Sequence, residues 1–375
     1  MTKRQSGYAD STITVNLDAI VANWRFINSL SAPSTKTAAM VKANGYGLGS
    51  VAVATALAAA GCELFFVASL GEAIELRQHF NKISRNDMPI MVLHGAQRGQ
   101  EDALATNQLI PVLNDLEQIS RWRLFANKTG MTLPALLHFD TGMTRLGLDG
   151  DQADWLIQNR GALDGLDIAY VMSHLVSGEA VDDPANARQL ASFNELRSWF
   201  SGVPASLANS AGCLLGKDYH FQMTRPGIAL YGVHPLETRI PDLQPVFDWQ
   251  ARILQIRQAA AGDRVGYGGT FELQRQSRIA TIGVGYADGY RRQLGGKATV
   301  SIGGRTAPVI GRISMDSITV DVTDLDQNSL RADHASLIHD AYPIEAMAAD
   351  LGTISYEIMT TLGQRADWHY QSGSF

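Results

Sequence analysis

Lys42 carries more chemical information than any other residue in this chain. It ends the run Ala38-Ala-Met-Val-Lys, which is apolar up to the lysine. Such a run is typical of a buried strand, and an ammonium group at its end is partly desolvated. Desolvation lowers the pKa of a lysine, so Lys42 is a candidate for imine formation with a carbonyl compound. The spacing leaves one alternative open, a strand-end lysine whose stem is buried and whose head reaches water.

The segment that follows Lys42 reads Ala43-Asn-Gly-Tyr-Gly-Leu-Gly. A glycine-rich loop of this kind can cradle a phosphate group, although it does not by itself identify the ligand. The loop lacks the Lys-Ser or Lys-Thr ending of a P-loop. We therefore exclude a nucleoside triphosphate site of that type.

Further polar residues follow other apolar runs, and by themselves they fit ordinary structural roles. Arg225 could form a salt bridge at a strand end, and His174 could be a core histidine with its hydrogen bonds satisfied. The polar residues placed in this way are His94, Asn114, Arg145, His174, Asn209, Ser210, Arg225 and Gly227.

The elements that must position these residues alternate between short apolar runs and amphipathic stretches. This pattern predicts βα units around a parallel sheet, and eight units in about 200 residues fit a closed (β/α)8 TIM-type barrel. The reactive groups of such a barrel lie where its strands end, so the polar residues should converge on one mouth. The eight runs are 37–42, 64–68, 89–93, 110–113, 134–139, 168–173, 205–209 and 223–230.

A change in the pattern of apolar and glycine residues near Pro245 predicts a second domain. Runs such as Ile279-Ala-Thr-Ile-Gly-Val-Gly and Ser317-Ile-Thr-Val-Asp-Val alternate in polarity and are punctuated by glycine. They indicate strands joined by tight turns. We expect a barrel domain over 1–245 and a mainly β domain over 246–375, with an extra N-terminal strand near 12–17 that associates with the β domain.

Composition restricts the function classes. With 45% hydrophobic and 18% charged residues, the 375-residue chain can bury a large core, and a net charge of -6 gives no basic surface for nucleic acid or anionic membranes. The polar start and the lack of long apolar stretches predict a cytoplasmic protein. Cys62 and Cys213 lack metal-ligand spacing, so we expect two buried, reduced thiols and no metal site.

Several motifs together resemble those of the bacterial alanine racemases, a family of pyridoxal-phosphate enzymes of fold type III. The resemblance extends over nearly the whole chain, and the motifs occur in one order. They are Met40-Val-Lys-Ala-Asn-Gly-Tyr-Gly-Leu-Gly, Asp140-Thr-Gly-Met-Thr-Arg-Leu-Gly, Asn209-Ser, Arg225-Pro-Gly-Ile-Ala-Leu-Tyr-Gly, Gly266-Tyr-Gly-Gly-Thr-Phe, Gly283-Val-Gly-Tyr-Ala-Asp-Gly-Tyr, Gly311-Arg-Ile-Ser-Met-Asp and Tyr356-Glu.

The resemblance implies a head-to-tail homodimer in which the β domain of one subunit completes the other's active site. Lys42 would bind pyridoxal 5'-phosphate as an imine and act as one acid/base, and the partner's Tyr267 would serve the opposite face. Two bases suit racemisation because a proton leaves one face of the α-carbon and returns to the other.

The same resemblance implies the remaining site residues. Arg225 would donate to the pyridine nitrogen, and His174 would lie beside the ring and link Arg225 to the partner's Tyr267. Arg145 would contact the phenolic oxygen of the cofactor and the substrate carboxylate. Phosphate and other cofactor contacts would come from Tyr46, Asn209, Ser210, Gly227, Ile228 and Tyr356, and the substrate end would be bordered by Met315, Asp316 and Tyr286.

Three positions depart from the family pattern. His138 lies seven residues before Arg145, where many members carry a carbamylated lysine that orients the arginine. A histidine cannot form that carbamate, so a hydrogen bond from His138, a bound anion such as chloride, or another neighbour would have to position Arg145. Leu48 replaces a common histidine and Ser314 a common cysteine, and neither change removes a catalytic group.

Alternatives to alanine racemisation stay open at this point. The architecture also suits racemisation of serine or of several amino acids, a related decarboxylase, or a non-catalytic carrier of pyridoxal phosphate. Alanine and serine differ by one atom, which contributes only about 1–3 kcal/mol to discrimination. The resemblance implies supply of D-alanine for peptidoglycan, but the residues do not distinguish this role from degradation of D-alanine.

Overall fold

A computed structural model describes residues 7–236 and 242–373 of the chain. The chain forms two compact units. The barrel unit contains Asp18–Tyr46 and Ser50–Pro245, and the β unit contains the residues up to Leu17, Gly47–Gly49 and the residues from Val246 onward. Within the described ranges, no helix has both the length and the apolar character that crossing a bilayer requires.

The strands of the described chain are β1 (Ser11–Asn16), β2 (Lys36–Thr37), β3 (Ala39–Met40), β4 (Phe65–Val67), β5 (Ile90–Val92), β6 (Ile110–Leu113), β7 (Leu133–His138), β8 (Leu166–Met172), β9 (Ala205–Ser206), β10 (Met223–Thr224), β11 (Phe247–Ala259), β12 (Arg264–Val265), β13 (Phe271–Glu272), β14 (Ser277–Ile282), β15 (Thr299–Ile302), β16 (Arg305–Ile310), β17 (Ile318–Asp321), β18 (His334–Ser336) and β19 (Asp367–Gln371).

The helices are α1 (Leu17–Ser29), α2 (Lys42–Tyr46), α3 (Ser50–Ala59), α4 (Leu70–Lys82), α5 (Glu101–Thr106), α6 (Leu116–Thr129), α7 (Gly150–Gln158), α8 (Pro184–Ser198), α9 (Gly212–Leu215), α10 (Ile344–Leu351) and α11 (Ser355–Thr361). Short 3-10 helices occupy Arg160–Leu163, Lys217–Tyr219, Ile228–Tyr231, Tyr267–Gly269, Tyr286–Asp288, Arg292–Leu294 and Ser329–Arg331.

The barrel unit is a closed parallel barrel of eight strands, which confirms the predicted fold. Strands β3 to β9 are hydrogen-bonded in sequence order, and β2 pairs with β10 in parallel. The segments β2 and β3 form one first strand, interrupted at Ala38. Ring closure continues between the seventh and eighth strands, where Gln222 N donates to Ala205 O at 3.1 Å and Arg225 N donates to Ala208 O at 2.9 Å.

Several strands are shorter than the sequence runs predict. The run 223–230 is strand only at Met223–Thr224, because Pro226 has no N–H with which to extend the ladder, and a 3-10 helix follows. Arg225 and Gly227 therefore lie just past the eighth strand. The first strand ends at Met40, so Lys42 opens the next element instead of ending the strand.

Side-chain caps define where several barrel helices begin. Ser69 and Glu72 form a reciprocal capping box at α4, and Asp115, Asp149 and Asp183 accept backbone N–H groups at the starts of α6, α7 and α8. Such caps satisfy amides that have no partner within the helix. The barrel loops at these helix starts are thereby held in defined conformations.

The β unit is built on an eight-stranded sheet in the order β14-β17-β16-β15-β18-β11-β1-β19, with β14 also paired to β11. Strand β1 is antiparallel to β11 and parallel to β19, and its alternate residues Ile13 and Val15 are fully buried. Each of the two cysteines, Cys62 and Cys213, is a buried free thiol in the barrel unit.

Candidate active site

Lys42 is the first residue of α2, whose backbone is a short left-handed turn and not a regular α-helix. The backbone φ angles of Ala43, Asn44, Gly45 and Tyr46 are 51°, 54°, 63° and 53°. A left-handed conformation costs a residue other than glycine about 1–2 kcal/mol, so the surrounding structure must hold this turn. Local support comes from Gly45 N, which donates to Val41 O at 2.9 Å, and from the Asn44 Oδ1, which accepts from Ser50 N at 3.0 Å.

The surroundings of Lys42 favour its neutral, nucleophilic amine. Burial lowers the pKa of Lys42, the positive charge of Arg145 lowers it further, and the carboxylate of Glu72 opposes both effects. The imine chemistry expected of a desolvated lysine is therefore available at this position.

Arg225 is a buried guanidinium whose described partners are uncharged oxygens. Its Nη2 donates to Ser173 O at 2.6 Å and to Leu207 O at 3.3 Å, and its Nη1 donates to Ser206 Oγ. Burial lowers the pKa of Arg225 to about 10, which still leaves it charged at neutral pH. These contacts fix the direction of the guanidinium without neutralising it, in contrast to the salt bridge that a structural arginine would form.

The imidazole of His174 is kept neutral by its own burial and by the positive charges near it. Burial lowers its pKa well below 6.5, and the positive charges of Arg225 and Arg145 act in the same direction. The carbonyl of His174 accepts from Gln189 Nε2 at 2.9 Å, which anchors its backbone. The barrel mouth thus brings Lys42, Arg145, His174 and Arg225 within electrostatic reach of one another, as the sequence predicts.

His138 is the other buried imidazole of this group. Its Nδ1 lies 2.8 Å from the Oδ1 of Asn114, whose Nδ2 donates to Leu93 O at 2.9 Å and to Val112 O at 2.8 Å. Burial is the main reason that the pKa of His138 falls to about 3, with Arg225 and Arg145 adding to the effect. His94, by contrast, has an exposed side chain and does not join these buried groups.

Tyr46, Ser210 and Gly227 come together on one side of the mouth. Ser210 Oγ accepts from Gly227 N at 2.7 Å and from Ala229 N at 3.3 Å. A Cβ atom on Gly227 would lie 2.1 Å from the Tyr46 hydroxyl, so only glycine fits there. Ile228 follows as the first residue of the 3-10 helix.

Asn209 has a different place from its neighbour Ser210. Its Oδ1 accepts from Gly212 N at 2.9 Å, and its Nδ2 donates to Leu175 O at 3.4 Å. The side chain therefore ties the loop after β8 to the start of α9. Both of these contacts are made with backbone groups.

The site residues predicted in the β unit are exposed on this chain. The exposed fractions are 71% for Tyr267, 52% for Met315, 43% for Tyr286 and 40% for Tyr356. The segments that carry Tyr286 and Met315 are joined by two backbone hydrogen bonds. Tyr286 N donates to Ser314 O and Ala287 N donates to Met315 O, both at 3.1 Å. Exposed aromatic and methionine side chains are typical of surfaces that bind a ligand or a partner.

Asp316 belongs to an ion-pair network that the sequence did not indicate. Arg365 contacts both carboxylate oxygens of the buried Asp288 at 2.8 Å, and its Nη1 contacts Asp316 Oδ1 at 2.6 Å. The two carboxylates raise the pKa of Arg365 and keep it charged. Arg365 thereby fixes the orientation of Asp316.

Three residues of these networks were missed from the sequence. Arg365 lies beyond Tyr356-Glu, the last of the motifs that carry the resemblance. Tyr231 stacks on Tyr46 with ring centroids 4.6 Å apart and donates to Met40 O, which no spacing reveals. Glu72 could have been found, because Ser69-x-x-Glu72 before an apolar run is the signature of a capping box.

Comparison with known proteins assigns the two units to known domain models. Residues 15–235 match the alanine racemase N-terminal domain, and residues 246–370 match the alanine racemase C-terminal domain. The chain is similar to the alanine racemase of Brucella ovis, with 44% identity over 371 residues, 95% of this chain and 92% of the relative. It is also similar to the alanine racemase of Acidiphilium cryptum, with 45% identity over 355 residues, 94% of this chain and 97% of the relative.

Among solved structures, the chain is similar to the alanine racemase from Bartonella henselae with covalently bound pyridoxal phosphate. The TM-score is 0.91 at 40% sequence identity, and the alignment covers 97% of this chain and 100% of the other. The biosynthetic alanine racemase of Pseudomonas aeruginosa aligns with a TM-score of 0.86 at 32% identity, covering 97% of this chain and 100% of the other.

Proposed function

The chain belongs to the alanine racemase family, and from that premise we propose that it interconverts L-alanine and D-alanine with pyridoxal 5'-phosphate bound at Lys42. The observation that carries the proposal is the desolvated Lys42 amine at a barrel mouth that also holds Arg145, Arg225 and His174. The Bartonella henselae relative carries its pyridoxal phosphate covalently. A lysine is the side chain that forms an imine with an aldehyde of this kind.

The polar groups of the mouth fit the cofactor. A phosphate needs several hydrogen-bond donors in a space that side chains do not fill. Tyr46 and Ser210 supply hydroxyl groups beside the backbone of Gly227 and Ile228, and the absence of a Cβ at Gly227 lets the Tyr46 hydroxyl approach that backbone closely. These residues, with Tyr356, would hold the phosphate through neutral donors. Asn209 would support Ser210 through the loop that it braces.

Arg225 would hold the pyridine nitrogen. Its guanidinium is already aimed by Ser173, Ser206 and Leu207 oxygens, and its pKa of about 10 means that it donates a hydrogen bond without transferring a proton. By leaving the ring unprotonated, Arg225 would moderate its electron withdrawal and so would limit side reactions such as transamination. When bound, the cofactor acidifies the α-hydrogen of the amino acid.

Two bases on opposite faces would move the proton. Lys42 would take or return the proton on one face, and the partner subunit's Tyr267 would do so on the other. The 71% exposure of Tyr267 on its own chain supports a role for this side chain toward another subunit. His174 would lie between Arg225 and that tyrosine and would stay neutral, as its lowered pKa requires.

Substrate selection would depend on a small, charged entrance. Arg145 would bind the carboxylate of the amino acid. The partner's Met315, Asp316 and Tyr286 would border the substrate, with Tyr356 at the same entrance. The network of Arg365 with Asp288 and Asp316 supports a fixed position for that acid. Bulky side chains on both sides of the entrance would favour alanine over larger amino acids.

The assembly would be a homodimer in which residues 246–375 act as the domain that completes the partner's site. We further propose that the enzyme works in the cytoplasm and supplies D-alanine for peptidoglycan. Exposure of Tyr267, Tyr286 and Met315 on the single chain supports a surface that a second subunit covers.

Incubation of the purified protein with L-alanine or D-alanine in heavy water tests the activity. We expect deuterium at the α-carbon and convergence of both solutions to zero optical rotation. Borohydride treatment followed by peptide mapping should place the cofactor on Lys42. A labelled Lys42 without any turnover would indicate a non-catalytic carrier of pyridoxal phosphate. Faster turnover of serine than of alanine would make serine the assigned substrate.

A further inference from the structure

The carboxylate of Glu72 joins two separate backbone segments at the barrel mouth. Its Oε1 accepts from Ala43 N at 2.7 Å, and its Oε2 accepts from Ala68 N at 2.8 Å and from Ser69 N at 3.2 Å. The second and third contacts belong to the end of the β4 loop and the cap of α4. The first contact is made to the residue directly after Lys42 and has no role in capping the helix.

The contact with Ala43 acts on the left-handed turn that carries Lys42. Four successive residues of this turn have positive φ, and three of them are not glycine. A turn with this conformational cost persists only when outside contacts fix it. A hydrogen bond to a charged carboxylate is stronger than one between neutral groups, so the Ala43 N–H is well suited to that purpose.

The charge of Glu72 also matters at this place. Arg145 and His174 are the other ionisable groups that act electrostatically with Lys42, and Arg145 lowers the pKa of the lysine. Glu72 is the neighbour of opposite sign, and it raises that pKa. One side chain therefore influences both the direction and the charge of the Lys42 amine.

We propose that Glu72 is a positioning residue for Lys42, whose carboxylate holds the Ala43 amide and thereby aims the lysine amine into the barrel mouth. This inference rests on the proposed function of Lys42 as the residue that binds the cofactor. It distinguishes Glu72 from an ordinary helix cap, because only the Ala43 contact reaches the segment that carries the lysine.

Two variants separate positioning from capping. Glu72→Gln replaces one acceptor oxygen by an NH2 group. The remaining oxygen gains two hydrogen bonds if it faces Ala68 and Ser69 and only one if it faces Ala43, so we expect Ala43 to lose its acceptor. Ser69→Ala is the matched control, because it removes the hydroxyl half of the capping box and leaves the Glu72 carboxylate on Ala43. Glu72→Asp, which keeps the charge and shortens the reach, serves as the second variant where Glu72→Gln gives no folded protein.

Two measurements on the full chain report on the proposal. Amide hydrogen exchange of the peptide that covers 42–46 reports the Ala43 contact directly. Borohydride trapping over a range of pyridoxal phosphate concentrations gives the concentration at which half of Lys42 is labelled. We expect Glu72→Gln to speed the exchange and to raise the half-labelling concentration, each by roughly tenfold, the effect of losing one charge-assisted hydrogen bond. Ser69→Ala should leave both values within about twofold of the parent.

Unchanged exchange and labelling in the Glu72 variants would overturn the inference. Equal changes in Ser69→Ala would overturn it too, because the effect would then come from the cap of α4. An unlabelled Lys42 in the parent protein would instead reject the proposed function, and the exchange of the 42–46 peptide would still decide the role of Glu72.

Discussion

His138 donates its Nδ1 hydrogen to the Oδ1 of Asn114 across 2.8 Å. Asn114 uses both amide hydrogens on the Leu93 and Val112 carbonyls, so its oxygen must face the imidazole. The hydrogen of the neutral ring is therefore on Nδ1, and Nε2 carries a lone pair. The Nε2 lone pair can accept a hydrogen bond from a guanidinium, so the hypothesis that a hydrogen bond with His138 positions Arg145 stays a prediction.

The neutral state of His138 predicts a loss of stability in acid. Its pKa is lowered from 6.5 to about 3, so between these values the unfolded chain binds a proton that the folded chain does not. Stability is then retained above pH 6.5 and falls as the pH drops toward 3, by at most about 1.4 kcal/mol per pH unit for this group.

His138→Asn should reduce that slope, because asparagine keeps a donor for Asn114 and does not titrate. Urea unfolding at several pH values between 7 and 4 measures the effect, with part of the slope remaining from His174. Equal slopes for variant and parent would show that His138 is protonated in the folded state.

Lys42→Ala should abolish the visible absorption of the bound cofactor together with the racemisation of alanine. The reason is that no other described lysine shares the desolvated place at the barrel mouth. Lys36→Ala is the matched control from the start of the same strand, where the lysine pairs with Glu63 at the surface. The absorption spectrum and the turnover of Lys36→Ala should match those of the parent. An active Lys42→Ala would reject the assignment of Lys42 as the residue that binds the cofactor.

Hybrid dimers test whether Lys42 and Tyr267 of different subunits form one site. Lys42→Ala and Tyr267→Phe should each be nearly inactive alone, since loss of an acid/base costs roughly 10²–10⁴-fold in rate. Co-expression should restore about a quarter of the parent activity, because half of the randomly paired dimers keep one intact site. Activity that stays at the level of the single variants would indicate sites built within one chain.

Arg365→Met should destabilise the β unit more than the loss of an exposed ion pair does. Asp288, with a side chain 5% exposed, would lose its cationic partner, and we expect a cost of about 2–3 kcal/mol in the free energy of unfolding. Arg275→Met is the control, since both members of the Arg275–Asp324 pair are exposed and such pairs contribute about 0–1 kcal/mol. Equal denaturation midpoints for the two variants would contradict this ranking.

Arg365→Met should also release Asp316, which this arginine holds at 2.6 Å. We therefore expect a higher KM for alanine with a smaller change in kcat. A steady-state comparison with Arg275→Met separates this local effect from a general loss of stability. A fall in kcat alone would indicate that Asp316 acts in the chemical step instead.

The sequence by itself determined the barrel and the mainly β pattern after residue 245, and it predicted Lys42 as the residue that binds the cofactor. These features are local, since strand runs, helix caps and glycine-rich turns are encoded within a few neighbouring residues. The strand ends were predicted less accurately, as the run 223–230 shows. The residue at which a strand stops depends on its hydrogen bonds with the partner strand and on any proline in the run.

Only the tertiary structure decided which side chains support the site. Arg365 meets Asp288 from 77 residues away, and Glu72 reaches Ala43 from 29 residues away. The proton position on His138 likewise depends on the carbonyls of Leu93, which directly follows β5, and of Val112, which lies on β6. Spacing along the chain does not reveal such contacts, because they exist only once each unit has folded and each polar group has found its partner.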